Sequence, residues 1–235
     1  MVYRSLAVGI CLSLLLLGTS SGQDRERVHS DIAVQDLMLD ILKTAQVSGS
    51  LAFWSGCYSH RQLPDFPKVK TLPKSWEGPP LGTIREMFAD DPKMQVTQEP
   101  DGTIRMTESD VPQDLLNVRI EHISFKGAYD ALDAEERVEN APEVQSFMKD
   151  HDIGWSSFGS SVGHVLLGPI PYRKRDAPGD LDNVTVSQAL DHVLKTFPGF
   201  WVYENCHSST RKREVFFWYY TYLPGGTIFE QFGPH

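Results

Sequence analysis

The chain has 235 residues, a formal net charge of −9 and three cysteines. This length suffices for one large domain, or two small ones, with hydrophobic cores of their own. The acidic balance lacks the basic surface that phosphate backbones require, so we expect no nucleic acid as a partner. A short basic cluster at 211–213 lies between two predicted strands, and we interpret it as a solvated hairpin tip.

Residues 1–22 have the parts of a secretory signal peptide. Arg4 supplies a positive charge, residues 6–17 are apolar, and small residues follow at 19–22. The apolar run of about 12 residues is too short to cross a bilayer comfortably as a helix. We therefore predict cleavage, a periplasmic or secreted location, and no transmembrane segment after cleavage. A retained N-terminal anchor is the alternative.

Two cysteines, Cys57 and Cys206, remain after the signal peptide. In an oxidising compartment such a pair commonly forms a disulfide, and we predict this bond. Closing so long a loop contributes about 4–5 kcal/mol in the chain-entropy model. The alternative is a zinc site of Cys57, His60, Cys206 and His207, but adjacent ligands do not easily face one tetrahedral ion. We expect no metal and no cofactor.

The clearest pattern of secondary structure lies near the C-terminus. Val184 and Val186 alternate as in a strand and lead into an amphipathic helix, which Pro198 ends. Residues 200–204 and 215–222 then have the composition of two strands, the second dense in aromatic side chains. The predicted unit is strand, helix, strand, strand.

A second unit is predicted over 81–108. A short helix ends before Pro92, and two strands follow, joined through residues 100–102. The Asp-Gly dipeptide in this connection is the strongest hairpin signal in the chain.

Two further segments show parts of the same pattern. Apolar positions in 120–138 repeat the opening of the C-terminal unit, and Pro142 is well placed to begin the next helix, 143–150. In 32–57 a helix precedes a strand over 50–54. We predict an α+β fold of repeated small helix-strand-strand units, with helices packed on antiparallel or mixed sheets. Chance resemblance among ordinary α/β segments is the alternative to duplication.

The proline-rich stretch 63–80 and the glycine-, serine- and proline-containing stretch 154–178 separate these units, the latter with a short predicted strand at 162–167. We divide the chain into a signal peptide (1–22), an N-terminal helix-strand unit with a proline-rich connection (23–80), a middle α/β unit (81–153), a loop region (154–181) and a C-terminal strand-helix-strand-strand unit (182–235).

The C-terminal unit resembles the short N-terminal module of secretins and TonB-dependent receptors. The resemblance is best over 182–222, with weaker echoes at 81–108 and 117–138. In those families, small βαββ-type units lie in the periplasm and make protein–protein contacts. The resemblance thus implies the fold class, the compartment and a protein partner in the cell envelope.

One motif points to catalysis. Residues 159–163 match the Gly-x-Ser-x-Gly pattern, in which Ser161 would be the nucleophile of a hydrolase. That chemistry requires a strand before the serine and a helix after it. The preceding residues form a poor strand, and Pro169 leaves too little room for the helix. We therefore predict a protein that is not an enzyme and keep a secreted serine hydrolase as the alternative.

The aromatic side chains suggest a binding surface instead. Strand alternation places Phe216, Trp218, Tyr220 and Tyr222 on one face of the sheet, and Phe217 and Tyr219 on the other. We predict an exported non-catalytic binding or adaptor protein that acts through sheet edges or an aromatic face; a sheet covered by helices on both faces, or a structural envelope protein, would need no such surface. The predicted partner-binding residues are Trp201, Tyr203, Trp218, Tyr220 and Tyr222.

Overall fold

A computed structural model describes residues 33–56, 67, 69, 78–128, 130–155, 179–207 and 212–221. Within these ranges the helices are α1 (Ala33–Ala45), α2 (Pro80–Met87), α3 (Ala131–Glu139), α4 (Pro142–Asp150) and α5 (Val186–Thr196). The strands are β1 (Gly49–Gly56), β2 (Met94–Gln98), β3 (Ile104–Glu108), β4 (Arg119–Ser124), β5 (Gly154–Trp155), β6 (Asp180–Thr185), β7 (Gly199–His207) and β8 (Arg213–Thr221).

Six strands form one mixed sheet in the order β2-β3-β1-β7-β8-β5. The central strands β3, β1 and β7 are parallel, β2 and β8 flank them in antiparallel pairing, and β5 adds two residues parallel to β8. Strands β4 and β6 form a separate antiparallel pair. The fold is α+β, as the sequence predicts.

The elements are stacked in four layers. Helices α1 and α2 cover one face of the six-stranded sheet, through a core that includes Leu42, Phe53 and Phe200. Helices α3 and α5 cover the other face, and the β4–β6 pair lies on them through Ile120 and Ile123. Because helices lie on both faces of the sheet, its central strands are apolar on both sides.

Local sequence explains where several elements begin. Helix α5 starts with a capping box, in which the Thr185 hydroxyl accepts from the Gln188 amide (3.2 Å) and the Gln188 side chain accepts from the Thr185 amide (2.9 Å). Pro142 occupies the first turn of α4, as predicted. Gly102, with φ of 93°, closes the β2–β3 hairpin in a conformation that favours glycine.

The predicted order of elements is confirmed for 81–108 and for the C-terminal unit. The strands of the C-terminal unit do not form one sheet of their own, however. Strand β6 pairs with β4 in the small sheet, whereas β7 and β8 lie in the large one. Val186, expected in the strand, is the first residue of α5. Strands from the N-terminal, middle and C-terminal units therefore share one sheet.

The structure describes only parts of the two predicted connections, 63–80 and 154–178. Of the proline-rich stretch, Pro67 is buried, and Val69 packs beside the core under α1. Residues 154 and 155 form β5, whereas the strand predicted at 162–167 lies outside the described residues. No helix in the described ranges combines the length and apolar character needed to span a membrane.

Gly199 and Gly82 provide a matched pair for testing this packing. A Cβ at Gly199 would lie 1.9 Å from the carbonyl oxygen of Tyr220 on β8, whereas one at Gly82 would meet no atom within 4 Å. We expect Gly199→Ala to lower the free energy of unfolding by about 3 kcal/mol, since β8 must move away. Gly82→Ala should raise it by about 0.5–1 kcal/mol through helix propensity. Urea denaturation measures both, and equal effects would contradict the close β7–β8 approach.

Candidate functional site

Aromatic residues alternate along β8 between the two faces of the sheet. Val215, Phe217 and Tyr219 are buried in the core with α3 and α5. Phe216, Trp218 and Tyr220 point to the opposite face and are half-buried. We call these three residues the aromatic strip. The alternation predicted from sequence is confirmed over 216–220, and Tyr222 lies outside the described residues.

Ring contacts hold the aromatic strip in place. The Tyr220 ring stacks on buried Phe200 with 4.8 Å between centroids, and the Trp218 ring lies 6.2 Å from that of Tyr220. The Phe216 ring meets Trp218 edge-on at 4.7 Å. Rings fixed in this way lose little conformational entropy when a ligand covers them.

Two of the predicted partner-binding residues belong to the core instead. Trp201 and Tyr203, on β7, are 2% and 0% exposed beneath α3 and α5. The Trp201 indole nitrogen donates to Asp191 of α5 at 2.9 Å. Their aromatic character predicts a place on a binding surface for Trp201 and Tyr203, but helices cover both faces of their strand. They cannot contact a partner in this structure.

Strand β8 lies between β7 and β5 in the large sheet. Strand β7 pairs with all of β8, and the two described residues of β5 pair with Glu214 and Val215 on its other side.

Helix α3 lies over β8 on the face opposite the aromatic strip. Its Glu135 is 4% exposed, and Glu139 follows one turn later. Burial and the neighbouring Glu139 raise the pKa of Glu135 well above its usual value. Burial and the nearby Glu136 raise the pKa of Glu139 to about 7. Among the described residues, only carboxylates act on these two groups, and burial favours the neutral form of each.

Polar side chains also gather where the parallel strands end. The Arg213 guanidinium donates to both oxygens of Asp114 (2.7 and 2.8 Å), to the side-chain Oδ1 of Asn205 (2.9 Å) and to the Tyr203 hydroxyl (2.6 Å). Burial raises the pKa of Tyr203 to about 12, so its hydroxyl stays protonated at neutral pH. These hydrogen bonds form a network that connects the 109–118 loop to the sheet.

Cys206 and His207 face opposite sides of β7. Cys206 is buried next to Ser55 of β1, whereas exposed His207 stacks on Trp54 with 4.7 Å between ring centroids. Strand alternation therefore separates Cys206 and His207, two of the four ligands of the zinc alternative. No group of three or more potential ligands is found in the described ranges. Cys57, His60 and Ser161 lie outside these ranges, so the disulfide and the hydrolase remain predictions.

The sequence analysis did not identify the carboxyls of Glu135 and Glu139 on α3. Their spacing of four residues puts Glu135 and Glu139 on one helix face together with the apolar Leu132. That mixture of apolar and acidic residues on one face was the available signal. Only the position of α3 over β8 shows that Glu135 is buried.

The raised pKa values predict that stability depends on pH. The folded state binds these protons more tightly than the unfolded chain, so the free energy of unfolding should fall as pH rises from about 4.5 through 7. We expect Glu139→Gln to raise it by about 2 kcal/mol at pH 8 and to leave it unchanged at pH 4. Glu121→Gln, at an exposed position of β4, is the control in urea denaturation. Parallel pH profiles for wild type and Glu139→Gln would contradict the burial of this carboxyl.

The disulfide prediction has a direct test. Cys206 pairs in register with Ser55, two residues before Cys57. We expect peptides containing Cys57 and Cys206 to be linked in non-reducing mass spectrometry. Cys206→Ala and Cys57→Ala should each lower the free energy of unfolding by a similar amount, on the order of 4 kcal/mol. Free thiols at both positions in the exported, unreduced protein would disprove the bond.

Comparisons with known proteins leave the site to be interpreted from its own chemistry. The chain matches no protein-family model, no curated protein and no solved structure. The resemblance of residues 182–222 to the secretin and TonB-receptor module therefore stays a prediction. The features available for a functional proposal are the aromatic strip of β8 and the buried carboxyls of α3.

Proposed function

We propose that this protein is an exported, non-catalytic binding or adaptor protein that contacts a protein partner through the aromatic strip of β8. One observation carries the proposal. Three aromatic rings on one face of β8 are half-buried and are held by stacking and edge-on contacts at centroid distances of 4.7 to 6.2 Å.

Tyrosine and tryptophan are enriched in protein interfaces, since they bury a large area with few rotatable bonds. Trp218 and Tyr220 supply such rings on one face of β8, and their contacts with Phe216 and Phe200 fix them in place.

The compartment is part of the same proposal. Residues 1–22 have the composition of a signal peptide, and the predicted disulfide suits an oxidising environment. The resembling families use their βαββ-type modules for contacts in the periplasm. A protein partner in the cell envelope is consistent with each of these features.

Site-specific photo-crosslinking tests this proposal. A benzophenone amino acid is placed at Tyr220 in the full chain, and a matched control carries it at Phe147, a half-buried ring on α4. We expect the Tyr220 probe to give a saturable adduct with one envelope protein, competed by unlabelled wild-type chain. The identified partner should then slow hydrogen exchange of the amides in 216–221.

Trp218→Ala supplies the matching loss of function. With its circular dichroism unchanged, this variant should compete at least tenfold less well than wild type, because the ring beside Tyr220 is removed. Equal adducts at positions 220 and 147, or unchanged competition by Trp218→Ala, would contradict binding at β8. Hydrolysis of an ester or peptide panel that Ser161→Ala abolishes would favour the hydrolase alternative.

A further inference from the structure

We propose that Asn183 is the acceptor of an N-linked glycan on the exported chain. Residues 183–185 have the sequence Asn-Val-Thr, the only Asn-x-Ser/Thr triplet in the chain, and its middle residue is not proline. The inference goes beyond the proposed function and shares with it only the predicted export, because such glycans are added to chains that enter an export pathway.

Asn183 lies on the outermost layer of the structure. Strands β4 and β6 pair with each other and bury Ile120 and Ile123 in the core with α3 and α5. Asn183 of β6 is exposed, as are Asp180 and Asp182 of the same strand. A bulky, hydrated glycan requires a side chain at the surface, and the exposure of Asn183 meets this condition.

The backbone at Asn183 departs from the strand around it. Its φ is 51°, in the left-handed region, which asparagine adopts more readily than most other residues. The β4–β6 register omits a pairing of Asn183 with Glu121, although the residues on both sides are paired. The backbone therefore turns at Asn183, and its conformation favours the same residue type that the triplet requires.

Arg119 of β4 fixes the orientation of the Asn183 side chain. Its Nη1 atom donates to Oδ1 of Asn183 at 2.9 Å and to the Asn183 backbone carbonyl oxygen at 3.0 Å. A guanidinium has only donors, so the amide oxygen must be the atom that faces it. The nitrogen Nδ2, to which a glycan is attached, is therefore at the other end of an exposed amide.

The reaction joins this amide nitrogen to a sugar. Its second substrate is an oligosaccharide linked to a lipid through pyrophosphate. A bond forms between Nδ2 and the anomeric carbon of the first sugar, and the bond between that carbon and the pyrophosphate oxygen breaks. The amide loses one proton, the lipid pyrophosphate leaves with the electron pair, and no atom is oxidised or reduced.

Thr185, the third residue of the triplet, also has a structural role. Its hydroxyl accepts from the Gln188 amide in the capping box that begins α5. Thr185→Ala therefore changes the helix start and the triplet together. Two controls separate these effects, since Thr185→Ser keeps both features and Gln188→Ala removes half of the capping box but leaves the triplet intact.

A glycan on the small sheet would not compete with the proposed partner contact. The small sheet lies on the α3 and α5 side of the large sheet, whereas Trp218 and Tyr220 of the aromatic strip pack on the α1 side. We therefore expect the photo-crosslinking yield from position 220 to be the same in Asn183→Asp as in the unmutated chain.

Mass spectrometry of the exported full chain, purified from the cells that naturally produce it, tests the inference. We expect the mass of most chains to exceed that of the polypeptide by one oligosaccharide. An amidase that removes N-linked glycans should abolish this shift and leave aspartate at position 183. Asn183→Asp and Thr185→Ala should each lose the shift, whereas Thr185→Ser and Gln188→Ala should keep it.

An unmodified Asn183 in the exported chain would overturn the inference, and so would a chain that stays in the cytoplasm with residues 1–22 attached. A mass shift that persists in Asn183→Asp would show that another residue carries the modification. Loss of the shift in Gln188→Ala as well as in Thr185→Ala would mean that the start of α5, and not the triplet, controls it. Either result would also contradict the assignment.

Discussion

The double-sided burial of β7 is the constraint on which the rest of the structure depends. Every residue from Gly199 to Cys206 is buried, and the strand pairs with β1 on one side and β8 on the other. Such a strand needs a helical layer on each face, and α1 and α5 provide them. Its first residue must be glycine, because the β8 backbone passes too close for any side chain.

This arrangement decides which aromatic residues are accessible. Trp201 and Tyr203 lie on the central strand and fill the core under α3 and α5, with their polar atoms bonded to Asp191 and Arg213. Strand β8 lies one position further out, and one of its faces keeps rings partly exposed. Strands β7 and β8 are both rich in aromatic residues, but helices bury both faces of β7 and leave the aromatic strip of β8 partly exposed. The proposed binding surface results from this difference.

The polar groups of the described structure fall into two kinds. Around Arg213 and Arg105, hydrogen bonds and ion pairs join elements that are distant in sequence, which fixes the loops and helices against the sheet. Along α3, by contrast, Glu135 and Glu139 are held where burial disfavours their charge without a described cation.

The sequence by itself determined the local elements, because their signals are local. Asp101-Gly102 specified the hairpin, Pro142 the start of α4, and the periodicity of Val193 and Leu194 the buried face of α5. It also determined that rings alternate along β8. Only the tertiary structure decided that β6 leaves its unit to pair with β4, that Trp201 is core while Trp218 is not, and that Glu135 is buried. These outcomes depend on the order of the strands and on which helices cover each strand. Both arise from contacts between residues far apart in the chain, so no periodic pattern in the sequence predicts them.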